Sequence, residues 1–486
     1  MAHYDYLILG NSAAAVTAVE SIRMIDTSGS IRMVSPEPYA AYGTPLISYL
    51  LEGKTTQEAM TYKAPTFYED NAVEATFGDG FGAAALDADA HTVTLDNGEV
   101  ISYGKVLVAT GSVPFTPPIK GLIGSKNMST FITLDQALFC ADKVSQATRV
   151  AHEQGHISRL IVVGAGLIGL KAAEALHDYV DEVIVLEMAP RILPAVLDAE
   201  GAALMADLLL ERGITCLPGI TADEFIVDGD NNIIEAHLTN GDILTCDFVV
   251  AAVGVRPNIA FLEAAGAEIG RGVIIQDDLQ TSLPDVYAAG DVTQTHDLLD
   301  GSDKCLALWP NAVRQGRLAG LHMAGFTQAD NFKGNFAVNS VDFFDEIYLL
   351  TAGVINPDPS QEFEEIVTLK DGTYTKFVIK DNRLFGYITL NRPEAAGIYT
   401  SIIADEVPLD MVGGEAFLRE PENFDIEEPL RWARLHKGYP AALDARGWSV
   451  KNPQTDLAAD TVAAQVDLDP SMVNPLSEGL VERECL

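Results

Sequence analysis

The chain has 486 residues, more than one hydrophobic core supports, and its length suits three domains of ordinary size. Its 31 Lys and Arg residues against 70 Asp and Glu residues give a formal net charge of −39, a field that repels nucleic acid and anionic membrane surfaces. No apolar stretch reaches the roughly 18–20 residues of a membrane span, and no signal peptide opens the chain, so we expect a cytoplasmic protein without nucleic-acid or membrane partners.

The first predicted elements form a βαβ unit at the N-terminus. An apolar strand is predicted over Tyr4–Gly10, a helix over Ala13–Ile25 and a second strand over Ile31–Ser35. This order is typical of a parallel sheet that binds a nucleotide.

The turn of that unit is a degenerate version of a phosphate-binding glycine turn. Gly10 keeps the first glycine, while Ser and Ala occupy the other two glycine positions. The small residues still allow a ligand to approach the start of the helix. The predicted contacts of this turn are Gly10, Ser12, Ala13 and Ala14.

Further along the chain, a hairpin is predicted at Asn97-Gly98, between strands over His91–Leu95 and Val100–Tyr103. A buried strand from Val106 then ends in a turn at Thr110 and Gly111. We expect this turn to lie at the ligand edge of the first sheet.

The strongest motif is a complete G-x-G-x-x-G in a second βαβ unit. A strand over Leu160–Gly164 precedes it, a helix over Leu167–Tyr179 follows, and the next strand, Glu182–Glu187, ends in an acid. Gly164 permits the tight turn, Gly166 admits a pyrophosphate and Gly169 allows close packing of helix on strand. The helix start, with Leu167 and Ile168, offers N–H groups to phosphate. Glu187 can accept hydrogen bonds from ribose hydroxyls and repels a 2′-phosphate, which favours NAD over NADP.

The later segments complete the predicted α/β organisation. A second hairpin is predicted at Asn240-Gly241, and a buried strand from Val286 ends in Asp291, where a carboxylate can hold a ribityl hydroxyl. From about Phe326 short aromatic strands and a helix over Ala396–Ala404 predict a separate α+β domain. Beyond Asp410 we expect irregular chain, with a weakly ordered tail over the last ~35 residues.

The cysteines predict no metal or thiol chemistry. The five of them lie far apart and form no C-x-x-C pair, which argues against a zinc site, an iron–sulfur cluster or a redox-active disulfide.

Several segments together resemble the FAD-dependent pyridine nucleotide–disulfide oxidoreductase superfamily, from about Asp5 to Ile403. They are the Gly10 turn, Ala109–Ser112, the Gly164 motif, Val253–Asn258 and Tyr287–Asp291. Within it, Glu37–Tyr39, Pro45–Tyr49 and Trp309–Ala312 resemble the branch of NADH:rubredoxin reductases and of the flavin part of assimilatory nitrite reductases.

The resemblance implies two Rossmann-type, doubly wound domains, binding FAD and NAD(H), with a C-terminal α+β domain that contacts a second chain in a homodimer. The expected boundaries are 1–115 with 245–325 for FAD, 116–244 for NAD, 326–410 for the α+β domain and 411–486 for an extension. It also implies that Glu37 holds the adenosine ribose of FAD. The other FAD or NAD contacts implied are Pro45, Thr110, Gly111, Gly254, Asp291 and Ala312.

The chain departs from the family at the flavin. Tyr42–Tyr49, where one branch has a single cysteine, contains none, so a thiol relay is excluded. Many relatives have a glutamate two residues after the third glycine of the motif, and Lys171 stands here instead. As a catalytic candidate, Lys171 would stabilise negative charge on the reduced flavin; the alternative is a solvated surface lysine. Tyr49 is a second candidate, against simple core packing.

The expected reaction is hydride transfer from NADH to FAD, followed by electron transfer to an external rubredoxin, ferredoxin or iron–sulfur subunit. NADPH is the less favoured donor. Three alternatives stay open: an NADH oxidase or quinone reductase with a small acceptor, the flavin subunit of a larger oxidoreductase, and a nucleotide-binding scaffold that has lost FAD.

Overall fold

The computed structural model describes residues 1–326 and 332–436. Two units are distinguished, Met1–Ile403 and Ala404–Leu486. The strands of the described residues, in chain order, are β1 (Ala2–Leu9), β2 (Ile31–Ser35), β3 (Val73–Phe77), β4 (Ala83–Asp87), β5 (Thr92–Leu95), β6 (Val100–Val108), β7 (Ser112–Pro114), β8 (Met128–Ser129), β9 (Arg159–Val163), β10 (Glu182–Glu187), β11 (Ile214–Pro218), β12 (Ala222–Val227), β13 (Ile233–Leu238), β14 (Ile243–Thr245), β15 (Phe248–Ala251), β16 (Val255–Pro257), β17 (Val273–Ile274), β18 (Val286–Ala288), β19 (Thr293–His296), β20 (Asp303–Lys304), β21 (Val338–Phe343), β22 (Ile347–Gly353), β23 (Glu364–Lys370), β24 (Thr373–Lys380) and β25 (Arg383–Leu390).

The α-helices of the same residues are α1 (Ala13–Ile25), α2 (Ile47–Leu51), α3 (Phe67–Asp70), α4 (Leu134–Gln154), α5 (Leu167–Leu176), α6 (Ala199–Glu211), α7 (Ala260–Ala264), α8 (Trp309–Met323), α9 (Ala396–Asp405), α10 (Glu415–Arg419) and α11 (Glu427–His436). None of the helices in the described parts of the chain has the length and apolar character that a bilayer crossing requires.

The first sheet of unit Met1–Ile403 combines parallel and antiparallel strands in the order β3-β2-β1-β6-β5-β4. Strand β6 pairs in parallel with β1 along one edge. Along its other edge it has two neighbours in turn: Val100 to Ser102 pair antiparallel with β5, and Val106 to Val108 pair in parallel with β18. The sequence predicted two separate strands here, whereas one continuous strand spans both. The core of β1, Leu7 to Leu9, is at most 1% exposed, as both faces of the sheet are covered.

The second sheet is entirely parallel, in the order β11-β10-β9-β15-β8. Strands β9 and β10 flank α5, which gives the predicted βαβ unit. The predicted hairpin at Asn240-Gly241 joins β13 and β14 in a three-stranded antiparallel sheet. The doubly wound α/β architecture follows from buried apolar strands that alternate with helices.

Two short strands join the first and second sheets along the chain. β7 leaves the end of β6 and β16 returns from the end of β15, and the two pair antiparallel with Arg256 opposite Val113. A third antiparallel sheet, β21-β22-β25-β24-β23, follows α8 and is covered by α9 residues such as Tyr399, whose ring packs 5.0 Å from Phe377. This matches the α+β texture predicted after Phe326.

In the unit that begins at Ala404, helices α10 and α11 lie where the sequence predicted irregular chain. Each is short, and apolar residues such as Phe417 are buried against Phe424, with ring centroids 6.0 Å apart. The predicted tail over the last 35 residues lies outside the described residues.

Candidate active site

The N-terminal turn is fixed by its one remaining glycine. Gly10 has φ +122°, and a Cβ there would stand 2.2 Å from the Ala109 carbonyl oxygen. The Gly10 amide donates to the Val34 carbonyl at 2.8 Å, so the turn is held between the ends of β2 and β6. Only glycine suits both the backbone angle and the close approach.

Helix α1 starts at this turn with a capping position that uses no side chain. Ser12 is the N-cap and makes no side-chain cap bond, and the first helical turn carries no acid. Ala13 and Ala14 are buried behind it. The first-turn N–H groups have no partner inside the helix, so this end suits an anionic phosphate group.

Residues from three distant segments meet at this helix start. A Cβ on Gly290 would lie 3.4 Å from the Ala14 Cβ and 3.7 Å from the Ala312 Cβ. The Gly290 amide donates to the buried Gln315 Oε1 at 2.7 Å. Asp291, directly after it, is thereby positioned at the edge of the first sheet beside α1 and α8.

Asp291 is a partly buried carboxylate with little hydrogen bonding. Ser112 Oγ donates to its Oδ2 over 3.5 Å, and burial raises the pKa of the Asp291 carboxyl, an effect that Ser112 opposes. A buried acid with spare acceptor capacity suits a ligand hydroxyl.

The turn after β6 lies beside Asp291 and leaves space open. Thr110 Oγ1 donates to the Asn258 carbonyl at 3.1 Å, and the Asn258 amide donates to the Gly111 carbonyl at 3.0 Å. Gly111 has φ +64°, and a Cβ on it would meet no atom within 4 Å. The predicted contacts Thr110 and Gly111 are therefore close to Ser112 and Asp291.

Glu37 lies just beyond β2 and is held by a tyrosine that the sequence analysis missed. Tyr42 Oη donates to Glu37 Oε2 at 2.7 Å and accepts from the Leu134 amide at the start of α4. Burial raises the pKa of the Glu37 carboxyl, the Tyr42 hydrogen bond opposes this, and Asp135 adds to it. The nearby Asn11 Nδ2 donates to the Tyr39 carbonyl at 3.0 Å, which ties the Gly10 turn to the Glu37 segment.

The second glycine turn repeats this geometry with all three glycines present. Gly164 has φ +106°, and a Cβ on it would stand 2.4 Å from the Ala252 carbonyl oxygen. A Cβ on Gly169 would stand 2.0 Å from the Gly164 carbonyl oxygen. Gly166, the N-cap of α5, has open space instead. Gly254, across the same edge of the sheet, is open too. Leu167 and Ile168 begin α5, and Ile168 is 37% exposed, so it is accessible to a ligand at this turn.

Glu187 stands at the end of β10 with its carboxylate against this turn. Its Oε2 accepts from the Ala165 amide at 2.8 Å, and its Oε1 accepts from the Ala189 amide at 2.7 Å. These two hydrogen bonds hold the side chain in place at the predicted ribose position.

Lys171 is enclosed rather than solvated. Its side chain is 12% exposed, and its Nζ lies 2.5 Å from Glu174 Oε2 and 3.4 Å from Glu52 Oε1. The ammonium stands 4.7 Å from the centroid of the Tyr49 ring, and Tyr49 Oη in turn donates to Asp342. The structure therefore brings together the two catalytic candidates, and it adds Glu52 and Glu174, which sequence reasoning missed. Pro45 lies four residues before Tyr49, in the 3₁₀ turn that leads into α2.

The free cysteines of the described residues are poor nucleophiles. They are Cys140, Cys216, Cys246 and Cys305. Burial raises the pKa of Cys140 and of Cys216 to about 12, and it raises the pKa of Cys246 and Cys305 as well. Cys485 lies outside the described residues.

Two dinucleotide cradles therefore fit the residues present. Each has a glycine whose backbone no other residue can replace, an open glycine or small-residue helix start, and a carboxylate near the end of the following strand. Glu37, Asp291 and Ala312 fit FAD at the first cradle, and Glu187 with Gly166 fits NAD(H) at the second.

Residues 4–316 match a known family, "Pyridine nucleotide-disulphide oxidoreductase", and the chain belongs to it. Among similar proteins is the NADH-dependent phenylglyoxylate dehydrogenase subunit epsilon of Aromatoleum evansii, 29% identical over 82% of this chain and 91% of that protein. The nitrite reductase [NAD(P)H] of Bacillus subtilis is 26% identical over 88% of this chain, which spans only 50% of that protein. A solved ferredoxin reductase of the CYP199A2 system from Rhodopseudomonas palustris is 25% identical, with a TM-score of 0.69 over 82% of this chain and 92% of that chain.

These similarities confirm the predicted family and its α/β fold with Rossmann-like domains. They also confirm the predicted class, an FAD-dependent NAD(P)H oxidoreductase, and the cofactors FAD and NAD(H). The individual site residues and the domain boundaries stay predictions.

Proposed function

We propose that the chain takes a hydride from NADH and passes the electrons singly to an external iron–sulfur carrier or partner subunit, without a cysteine relay. The observation that carries this is the pair of dinucleotide cradles in one unit. Tyr42–Tyr49 contains no cysteine, and burial raises the pKa of each described cysteine, which disfavours the reactive thiolate. The similarity to a dehydrogenase subunit and to a ferredoxin reductase supports an acceptor of that class.

The chain's own residues bind and orient. The start of α1 and Gly10 hold the FAD pyrophosphate, Glu37 its adenosine ribose and Asp291 its ribityl chain, with Thr110, Gly111, Pro45 and Ala312 as walls. Gly164, Gly166 and the start of α5 hold the NADH pyrophosphate, and Glu187 holds its ribose. When bound, FAD supplies the capacity to accept two electrons from NADH and to release them one at a time.

Lys171 and Tyr49 lie at the junction of the two proposed cradles. Tyr49 is on α2, which follows Pro45, and Lys171 is on α5, which begins at the NADH turn. The Lys171 ammonium would favour negative charge on the flavin, and the Tyr49 ring would limit water at the reacting edge.

The test is anaerobic mixing of the purified yellow protein with NADH or NADPH while flavin absorbance is followed. We expect rapid bleaching by NADH and slow bleaching by NADPH. Reoxidation is then measured with ferredoxin, rubredoxin, a quinone and oxygen. An iron–sulfur carrier should outpace oxygen; equal rates would favour the oxidase or quinone-reductase alternative, and a colourless protein would favour the scaffold alternative.

Whether the acceptor is a separate carrier or a permanent subunit is a matter of assembly. Size measurement by light scattering, alone and after affinity purification from the native host, separates a homodimer from a larger complex. A stable complex with an iron–sulfur protein would favour the alternative that the chain is the flavin subunit of a larger oxidoreductase.

A further inference from the structure

A group of charged residues surrounds Lys171 at the point where three segments of unit Met1–Ile403 meet. Glu52 and Lys54 follow α2, Lys171 and Glu174 lie on α5, and Asp345 is in the turn after β21. Two ammonium groups thus face three carboxylates.

Glu52 lies between the two lysines. Its Oε1 is 3.4 Å from Lys171 Nζ and its Oε2 is 2.7 Å from Lys54 Nζ, and the side chain is 10% exposed. In so poorly solvated a place the charges are screened little, so each carboxylate changes the local field appreciably.

Glu174 contacts Lys171 from the opposite side. Its side chain is 3% exposed, its Oε2 lies 2.5 Å from Lys171 Nζ, and its Oε1 accepts from the Phe344 amide. Burial raises the pKa of the Glu174 carboxyl, and the Lys171 ammonium and the Phe344 amide oppose that rise. Both oxygens are thus committed, which fixes the ammonium 4.7 Å from the Tyr49 ring centroid.

We propose that Glu52 and Glu174 form a carboxylate clamp that holds Lys171 over Tyr49 and offsets its charge, which lowers the reduction potential of the flavin bound beside it. The two glutamates are positioning residues for Lys171, and the inference rests on the proposed function in assuming that the flavin lies next to Tyr49. A more reducing flavin is suited to a low-potential one-electron acceptor.

The test is the flavin reduction potential of the FAD-loaded protein, measured by anaerobic titration with a chemical reductant and a reference dye. Glu52→Gln keeps the side-chain size but removes one negative charge. We expect the equilibrium constant for reduction to rise about tenfold, which is about 30 mV for a two-electron couple. Lys171→Met should shift it in the opposite direction.

Asp345→Asn is the matched control. Asp345 also pairs with Lys54, at 2.8 Å, but it is 66% exposed, and no ion pair joins it to Lys171 among the described contacts. We expect little change in potential for this variant. An unchanged potential in Glu52→Gln, or an equal shift in Asp345→Asn, would overturn the clamp.

A second variant covers the case in which Glu52→Gln fails to fold or to retain FAD. Glu174→Gln removes the closer carboxylate and should raise the potential in the same sense; no shift there would also overturn the clamp. Because the titration does not use NADH, it separates the two ideas. A wild-type protein that NADH fails to bleach refutes the proposed function, whereas normal bleaching with unchanged variant potentials refutes only the clamp.

Discussion

Asp291 is the residue that we propose holds the ribityl chain of FAD, and its burial lowers the stability of the FAD-free protein. Its carboxylate is partly buried, and Ser112 is its hydrogen-bond donor at the long distance of 3.5 Å. Burial raises the pKa of this carboxyl, so the folded protein binds more protons than the unfolded chain once the pH exceeds the ordinary carboxyl value. Asp291 therefore makes the FAD-free protein less stable as the pH rises from the ordinary carboxyl pKa to the raised pKa of the folded protein.

Asp291→Asn should separate binding from stability. Without FAD, the variant should be as stable as the wild type at about pH 4 and more stable at about pH 7, because the partly buried charge is gone. Its affinity for FAD should fall by about 10- to 100-fold, the loss of a charged hydrogen bond. Urea unfolding of the FAD-free proteins and FAD titration measure the two effects. A variant less stable than the wild type at neutral pH would contradict the assignment of a partly buried carboxylate whose hydrogen bond from Ser112 is long.

At the scale of elements, the contact between α1 and α8 sets the position of the proposed FAD cradle. Gly316 and Gly320 of α8 face α1 so closely that their Cβ atoms would stand 2.2 Å from the Ala14 carbonyl oxygen and 2.4 Å from that of Ala18. The helices therefore approach backbone to backbone, and α8 brings Ala312 and Gln315 to the start of α1.

Gly316→Ala should push the two helices apart. We expect the free energy of unfolding to fall by about 1–3 kcal/mol, as in other overpacked contacts, and FAD affinity to fall with it. The matched control is Gly397→Ala on α9, where a Cβ has open space. That change should be neutral or stabilising by up to about 1 kcal/mol, since alanine favours a helix. Thermal unfolding of both variants measures the two changes in stability. Equal changes in Gly316→Ala and Gly397→Ala would be inconsistent with a tight contact between α1 and α8.

The elements that sequence reasoning located are those with local signals. Apolar runs and glycine turns gave both βαβ units, and the Gly164 and Gly10 turns have the backbone geometry that only glycine allows. Glu52 had no such signal, because it is distant from Lys171 in sequence and is brought close only by the packing of α2 on α5. Glu174 did have one, since it lies three residues after Lys171 on the same predicted helix, a spacing that puts the two side chains on one face. The hydroxyl of Tyr42 on Glu37 is a similar case. The continuous strand β6 was missed because its two halves pair with different neighbours.

At the scale of the whole molecule, the charge of −39 governs how a protein acceptor approaches. Long-range repulsion slows the encounter of two acidic proteins and is screened once the Debye length shortens to about 10 Å at 0.1 M salt. The net charge therefore affects the rate of association with a partner and has little influence on the fold.

With an acidic ferredoxin as acceptor, its rate of reduction should rise several-fold as the ionic strength goes from about 0.01 M to about 0.1 M. An uncharged quinone is the control, and its rate should change little. Stopped-flow reoxidation of the reduced protein gives both rates. A ferredoxin rate that falls with salt would instead indicate a locally basic docking surface.

The pairing of β6 with β18 has a consequence for synthesis. The first sheet is complete only when Val286 reaches Val106, whereas every strand of the second sheet lies between Met128 and Ala251. A chain leaves the ribosome from its N-terminus, so the second sheet can close first. A nascent chain halted before Asp291 could already form the Gly164 turn, the proposed NADH site, whereas the proposed FAD site at Gly10 would still lack Asp291.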